Sequence, residues 1–377
     1  MKSSPEMLKV YKRVRSRTVH VVPDEIVVEI LVRLPVKALT RFKSVSKAWC
    51  AIISDPFFIR LHLQQQSAKN QEQAPSFLII PHTLYKAIDS ESEFESVYPM
   101  LHCDGLFVLP TDTKVYVFNP ATHDVLKLRN DQKDEWFYPT VGLGLDLLTS
   151  KYKVARFFYR SLNFKKRAYS MGVEIFTIGG DGVDSCWSTV EDCPFPIFPG
   201  VVVYFKGSLY LRIWYELVER PPQEFLRFNL ENETFSLMCY PELLQPKGKH
   251  LDLIELCGEL CVAQCLAEQI DIWMLRSDDG HEWVKQYVIR LPDAWNFEVF
   301  SVMPNDVKII RWGSCLYHYD DAQKDTREMV RLDRLRYMNS KVDSFDFVGQ
   351  EIFLFNILPY VESLIPVTKK RHHSLAK

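Results

Sequence analysis

The spacing of apolar and polar positions changes period once along the chain, and that change divides it. Over residues 24–66 the period is helical. Ile26, Ile30 and Leu34 recur every four residues, with Val27 and Leu31 on an adjoining row. Asp24 and Glu25 place negative charge where a helix N-terminus favours it, and Pro35 ends the segment. Residues 36–45 read as a second helix, with Leu39, Phe42 and Val45 at three-residue steps. Residues 46–54 follow with Trp49, Ile52 and Ile53. Asp55-Pro56 is a start signal, a carboxylate at the N-cap and a proline at the first helical position, for a helix over 57–66. Such short helices bury little surface alone, so they require a partner or a neighbouring domain. Residues 64–75 (QQQSAKNQEQAP) lack aromatic and β-branched side chains and read as a linker.

After Ser76 the period is two. Lys114-Val115-Tyr116-Val117-Phe118 and Val125-Leu126-Lys127-Leu128 flank Asn119-Pro120-Ala121-Thr122-His123-Asp124, a hairpin whose turn residues fix φ or bond the local backbone. The unit recurs. Gly105, Gly207, Gly258 and Gly313 each precede an apolar strand, at spacings of 102, 51 and 55 residues, so the first gap fits two units. A degenerate repeat near 50 residues with about four strands per unit marks propeller blades, about six of them over residues 76–366. A pair of β-sandwiches is the alternative. Closure of a propeller joins strands from both chain ends. The apolar runs Phe77-Leu78-Ile79-Ile80 and 361–365 are therefore expected in the same or adjacent terminal blade.

Composition narrows the class. Aromatic residues make up 13% of the chain, as suits a pleated surface, and the net charge of −2 gives no chain-wide attraction to nucleic acid or anionic membrane. Nine cysteines, without disulfide-dense spacing, predict reduced thiols in the cytosol or nucleus. No apolar run approaches the ~18 residues of a membrane span, and no signal peptide is read. The first 17 residues carry six Lys or Arg against Glu6 and read as a basic flexible tail. Cys257, Cys261 and Cys265, with His250 upstream, lack the paired spacing of a zinc site, so no metal and no cofactor is expected. Gly179-Gly180-Asp181-Gly182 lacks the Lys-Ser/Thr of a phosphate loop and reads as a blade-connecting turn.

Residues 22–49 (VPDEIVVEILVRLPVKALTRFKSVSKAW) closely resemble the F-box, and Asp55-Pro56-Phe57-Phe58 with Leu61-His62-Leu63 extend the match in the style of plant F-box proteins. Val22 departs from it, standing where the family usually has leucine. Downstream, Cys103-Asp104-Gly105-Leu106, Asn119-Pro120-Ala121-Thr122, Gly142-Leu143-Gly144-Leu145-Asp146 with Tyr152-Lys153-Val154, and Gly207-Ser208-Leu209-Tyr210 are similar to the F-box-associated, kelch-like propeller domain. Trp187-Ser188 stands where many relatives have Trp-Arg, and Leu211 where Trp is common.

The resemblance implies a non-catalytic substrate-recognition subunit of an SCF-type ubiquitin ligase, cytoplasmic or nuclear. Its F-box would dock on a Skp-family adaptor held by a cullin scaffold, and its β domain would select an unknown protein substrate. It implies adaptor contacts at Pro23, Ile26, Ile30, Leu31, Leu34, Pro35, Leu39, Val45 and Trp49. Trp136, Tyr138, Trp214, Tyr215 and Trp295, aromatic residues near strand ends, are the candidate cargo anchors. The expected organisation is a tail (1–19), the F-box (20–63), a linker (64–75), the β-propeller-like domain (76–366) and a disordered tail (367–377). Two rival functions are a glycan-binding or enzymatic propeller with a helical dimerisation arm, and an F-box protein acting with its adaptor outside a cullin complex.

Overall fold

The computed structural model describes residues 23–72, 75–81, 100–111, 114–129, 140–179, 186–200, 202–241, 251–266, 268–277, 282–290, 297–302, 307–320, 325–334, 336–339, 344–347 and 355–368. The basic N-terminal tail lies outside them.

Four helices come first: α1 (Asp24–Leu31), α2 (Val36–Phe42), α3 (Lys47–Ser54) and α4 (Pro56–Glu72). Prolines 23 and 35 hold the N-cap positions of α1 and α2, and the Ser46 hydroxyl caps α3 by accepting from the Trp49 N–H at 3.1 Å. The Asp55 carboxylate accepts from the Phe57 N–H at 2.8 Å at the head of α4. The linker expected at 64–75 is corrected here, because α4 runs on to Glu72. Gln, Ala, Lys and Glu are good helix formers, and no breaker follows until Pro75. The polar extension is also anchored. Lys69 Nζ donates to the Arg33 carbonyl at 3.1 Å and Asn70 Nδ2 to the Tyr360 carbonyl at 2.7 Å.

The strands then run β1 (Ser76–Pro81), followed by five four-stranded antiparallel meanders. The first blade is β2 (Leu101–Cys103), β3 (Leu106–Pro110), β4 (Lys114–Asn119) and β5 (Asp124–Arg129). The second is β6 (Thr140–Asp146), β7 (Lys151–Asn163), β8 (Ala168–Thr177) and β9 (Ser188–Thr189). The third is β10 (Val203–Phe205), β11 (Ser208–Leu211), β12 (Glu224–Asn229) and β13 (Phe235–Cys239). The fourth is β14 (Leu251–Leu256), β15 (Glu259–Cys265), β16 (Gln269–Leu275) and β17 (Trp283–Arg290). The fifth is β18 (Phe297–Val302), β19 (Lys308–Trp312), β20 (Cys315–Asp320) and β21 (Asp325–Arg331). A hairpin of β22 (Arg336–Asn339) and β23 (Ser344–Phe347) precedes the last strand, β24 (Phe355–Tyr360).

Among the described residues there are thus five four-stranded blades, where the repeat period predicted about six units. In the remaining sector, β24 pairs antiparallel with β1 from Ser76↔Tyr360 to Pro81↔Phe355 and touches both β2 and β18. One face of β1 (Leu78, Ile80) packs on the first blade and the other (Phe77, Ile79) on the fifth. The chain ends are therefore joined by sheet pairing, as closure required, but the C-terminal partner is Phe355–Tyr360 and not 361–365. Apolar clusters fill each junction around the ring, from blade two against three to blade four against five. The arrangement is a closed ring, not two stacked sheets.

Three of the recurring glycines, 105, 207 and 258, mark turns between first and second strands, whereas Gly313 lies between the second and third strands of the fifth blade. Asp104-Gly105, Lys206-Gly207 and Cys257-Gly258 are two-residue connections with positive φ at both positions, the backbone of a type I′ turn. Gly105 has a second reason to be glycine, since a Cβ there would lie 2.4 Å from the Val361 carbonyl oxygen. Gly179 to Gly182 falls between β8 and β9, so it connects strands within one blade and not successive blades; residues 180–182 lie outside the described residues. Cys257 sits in its turn, away from Cys261 and Cys265 within β15, and His250 lies outside the described residues.

Candidate functional site

The first- to second-strand turns and the third- to fourth-strand turns of an antiparallel meander lie at one end of every blade. The helices sit at that end of the first two blades. Leu31, Val32, Val36, Leu39, Ile53 and Phe58 are buried in one cluster with Leu106, Val117, Leu143 and Val154 of the propeller. Leu364, Ile365 and Val367, just past β24, complete the cluster. Val367, which the expected disordered tail included, is instead packed into this cluster at 2% exposure. The helical module and the propeller share a core, in contrast to the separation that a linker implied. Residues 369–377 lie outside the described residues.

Polar groups staple this junction. The Val36 N–H, at the open N-terminus of α2, donates to the Glu362 carboxylate at 2.8 Å. A carboxylate there meets both an orphan donor and the favourable end of the helix dipole. The Asn119 amide donates at 2.9 Å to each of the Ser363 and Ile365 carbonyls, while its oxygen accepts from the Ala121 N–H. Arg60 reaches Ser150 of the second blade at 3.2 Å. The His62 ring bonds the Leu34 carbonyl at 2.8 Å, and burial pushes its pKa down against the opposing pull of that carbonyl. Sequence reasoning missed Asn119 and Glu362 as junction residues. Asn119 was legible as a turn former, but its distant partners were not.

The candidate docking residues separate by exposure. Pro23, Ile26, Ile30, Pro35 and Val45 are exposed, with Ile26, Ile30 and Val45 at 48%, 55% and 59%. Ile26 and Ile30 stand one turn apart on α1, opposite the buried Leu31. Leu34 and Trp49 are half-buried, and the Trp49 ring meets Phe42 edge-on at 5.4 Å. Leu31 and Leu39 require correction: at 1% and 0% exposed they are spent on the shared core and have no surface to offer. Their row in the helical pattern is apolar for the same reason as the exposed row, so spacing alone did not distinguish the two. Phe57, 57% exposed at the head of α4, is a further surface ring that the candidate set lacked.

The other end of the blades carries the second- to third-strand turns and the connections between blades. Trp214 and Tyr215 lie there, in the 212–223 connection of the third blade. Trp214 is 9% exposed and Tyr215 half-buried, so both serve chiefly as packing under the surface. Trp136, Tyr138 and Trp295 fall outside the described residues. No described helix is long and apolar enough to cross a membrane.

With that geometry in place, comparison with known proteins identifies the class. A family model described as the F-box associated beta propeller domain matches residues 51–339, and an F-box-like model matches residues 19–64. The chain belongs to the F-box proteins with an F-box associated propeller. The two matches overlap across α3 and the head of α4, where helices and propeller share their core. Among similar proteins of Arabidopsis thaliana, the F-box protein CPR1 is 27% identical over 380 residues, covering 89% of this chain and 84% of its own. The F-box protein At5g49610 is 26% identical over 281 residues, covering 69% and 77%.

Proposed function

We propose that this protein is the substrate-recognition subunit of an SCF-type ubiquitin ligase. The observation that carries the reading is the set of exposed apolar side chains, Ile26 and Ile30 on α1 and Val45 in the turn between α2 and α3, on a helical module that buries Leu31, Val36 and Leu39 against the propeller. Exposed apolar surface of this kind suits a partner groove. A Skp-family adaptor docks on Pro23, Ile26, Ile30, Pro35 and Val45, with the partly covered Leu34 and Trp49 at the margin, and a cullin scaffold holds the adaptor. The opposite end of the propeller, free of the helices, takes the protein to be modified. Ubiquitin transfer is then promoted by proximity, and no residue of this chain needs to act on a covalent bond.

The test is Ile26→Asp with Ile30→Asp in the full chain, with adaptor affinity measured by calorimetry. Buried interface anchors cost about 1–3 kcal/mol each when lost, so affinity should fall at least tenfold, for which about 1.4 kcal/mol suffices. Both side chains are exposed, so the melting temperature should hold. Full-strength adaptor binding by the folded double variant overturns the reading.

A further inference from the structure

The end of the propeller facing away from the helices carries a surface that the adaptor reading leaves unused. In the second blade β7 and β8 are 13 and 10 residues long, and their ladder runs out to Asn163↔Ala168. The tip turn, Phe164-Lys165-Lys166-Arg167, reaches toward the third blade. There Phe164, 50% exposed, meets the Trp214 ring edge-on at 5.3 Å. Phe198, 42% exposed, also meets the indole, at 5.5 Å. Two half-exposed rings from different connections thus meet one buried indole.

The platform is held rigidly. The connections bearing Phe198 and Trp214 are tied by an isolated bridge at Ile197↔Ile213 and by backbone bonds Phe198 N–H to Arg212 O (2.8 Å) and Trp214 N–H to Pro196 O (2.7 Å). The Trp214 indole N–H donates to Glu216 at 3.0 Å. The Arg212 guanidinium lies 4.7 Å from the centre of the Phe198 ring and pairs with Asp252 at 3.2 Å. A rigid aromatic platform loses little conformational entropy when it is covered.

Charge indicates what covers it. Between Lys151 and Val173 the chain has seven Lys or Arg and no Asp or Glu, within a protein of net charge −2. Lys153 and Arg156 are consumed internally by Asp146, Glu233 and Glu174, and Arg160 pairs with Asp192. Lys165, Lys166 and Arg167 at the tip are exposed and make no ion pair among the described residues. Cations unneutralised by their own fold, set beside exposed rings, match a partner with the opposite charge and an apolar anchor.

We infer that Phe164, Phe198 and the Lys165-Lys166-Arg167 tip form the cargo-docking site, and that its occupant is an acidic protein segment presenting a bulky aromatic or aliphatic side chain. This rests on the reading of the propeller as the cargo-binding part. The anchor side chain lies across the two phenylalanine rings, and flanking carboxylates meet the basic tip.

A synthetic peptide set tests it on the full-length chain by fluorescence polarisation. The set holds a central Phe flanked by Asp/Glu, a central Phe flanked by Lys, and a central Ala flanked by Asp/Glu, with a labelled oligouridine as a further probe. The acidic Phe peptide should bind at least tenfold more tightly than the other three probes and weaken as salt rises. Phe164→Ser, and separately Lys165→Glu/Lys166→Glu/Arg167→Glu, should each reduce that binding at least tenfold, while adaptor affinity stays at the parent value. Both changes fall on exposed side chains, and the second remains decisive if the first does not fold. Equal binding of acidic and basic peptides, a preference for oligouridine, or full binding by both variants overturns the assignment. So does a dimer, seen by sedimentation, that Phe164→Ser dissolves, since a second copy would then own the surface. If the peptide arm fails while adaptor binding is normal, only this site falls. If peptides bind as expected while the adaptor does not, the ligase reading falls.

Discussion

The two ends of the propeller's strands are built by different rules. At the end bearing the helices, two-residue turns join the first strands of three blades, and Asn119, Glu362 and Arg60 tie turns, C-terminal segment and helices together. At the other end the second and third blades carry long connections, 190–202 between them and 212–223 within the third, where aromatic rings lie half exposed, although the two-residue Gly313-Ser314 turn of the fifth blade also falls at this end. The same sheets supply both ends, so the difference lies in where backbone groups find partners. Short turns and buried bonds fix one geometry, while longer connections leave side chains free to meet something else.

If that contrast is correct, damage to the helix-bearing end is structural and damage to the far end is not. The largest effect is expected from removing residues 355–377. This deletes β24, bares the edge of β1, and takes Leu364, Ile365 and Val367 out of the shared core. Loss of a single cooperative melt for helices and propeller together is the expected outcome by calorimetry. An unchanged melt would break the comparison at its strongest point.

Asn119→Ala should come next. It strands two buried carbonyls, at about 1–3 kcal/mol for each group left without a partner, and urea denaturation should show that loss. A smaller effect is expected from pH. Burial pushes the His102 imidazole down to about 4, so below pH 6.5 the unfolded chain takes up a proton that the folded chain refuses. Its contribution is full above pH 6.5 and is lost as pH falls from there toward 4. The slope is at most about 1.4 kcal/mol per pH unit, and His102 is only partly buried by its exposed area, which trims the slope below that ceiling. His102→Phe should flatten this part of the stability profile measured by denaturation at stepped pH. The smallest effect belongs to the far end, where Phe164→Ser should leave stability within about 0.5 kcal/mol in the same urea assay.

Much of this fold was legible in the chain. The type I′ turns need positive φ, so glycines at 105, 207 and 258 exposed the blade period directly, while Gly313, in the turn between the second and third strands of the fifth blade, matched that spacing from a non-equivalent turn. The gap of 102 residues is explained by the second blade, where Ser150 takes positive φ in the longer 147–150 turn in place of a glycine. The apolar row of α1 was equally plain, but its division into an outward Ile26/Ile30 face and an inward Leu31 face was not. That division depends on residues 364–367, some 330 positions away. The end of α4 was misread because a polar composition suits both a linker and a solvated helix, and the anchors at Arg33 and Tyr360 decide between them. The far-end platform escaped notice because Phe164 and Phe198 carry no periodic signal. Only the packing of the second blade against the third brings them to one tryptophan.

The pairing of β1 with β24 has a consequence for synthesis. The helices and β1 leave the ribosome first, and β24 follows about 280 residues later. At roughly 5–20 residues per second that is a wait on the order of 15 seconds to a minute. Throughout it the helices lack Leu364, Ile365 and Val367, and α2 lacks its Glu362 cap. A chain stopped early by a nonsense codon or a stalled ribosome would never complete that junction. The last strand and its extension thus make translation through residue 367 a condition for the helical module to be fully formed.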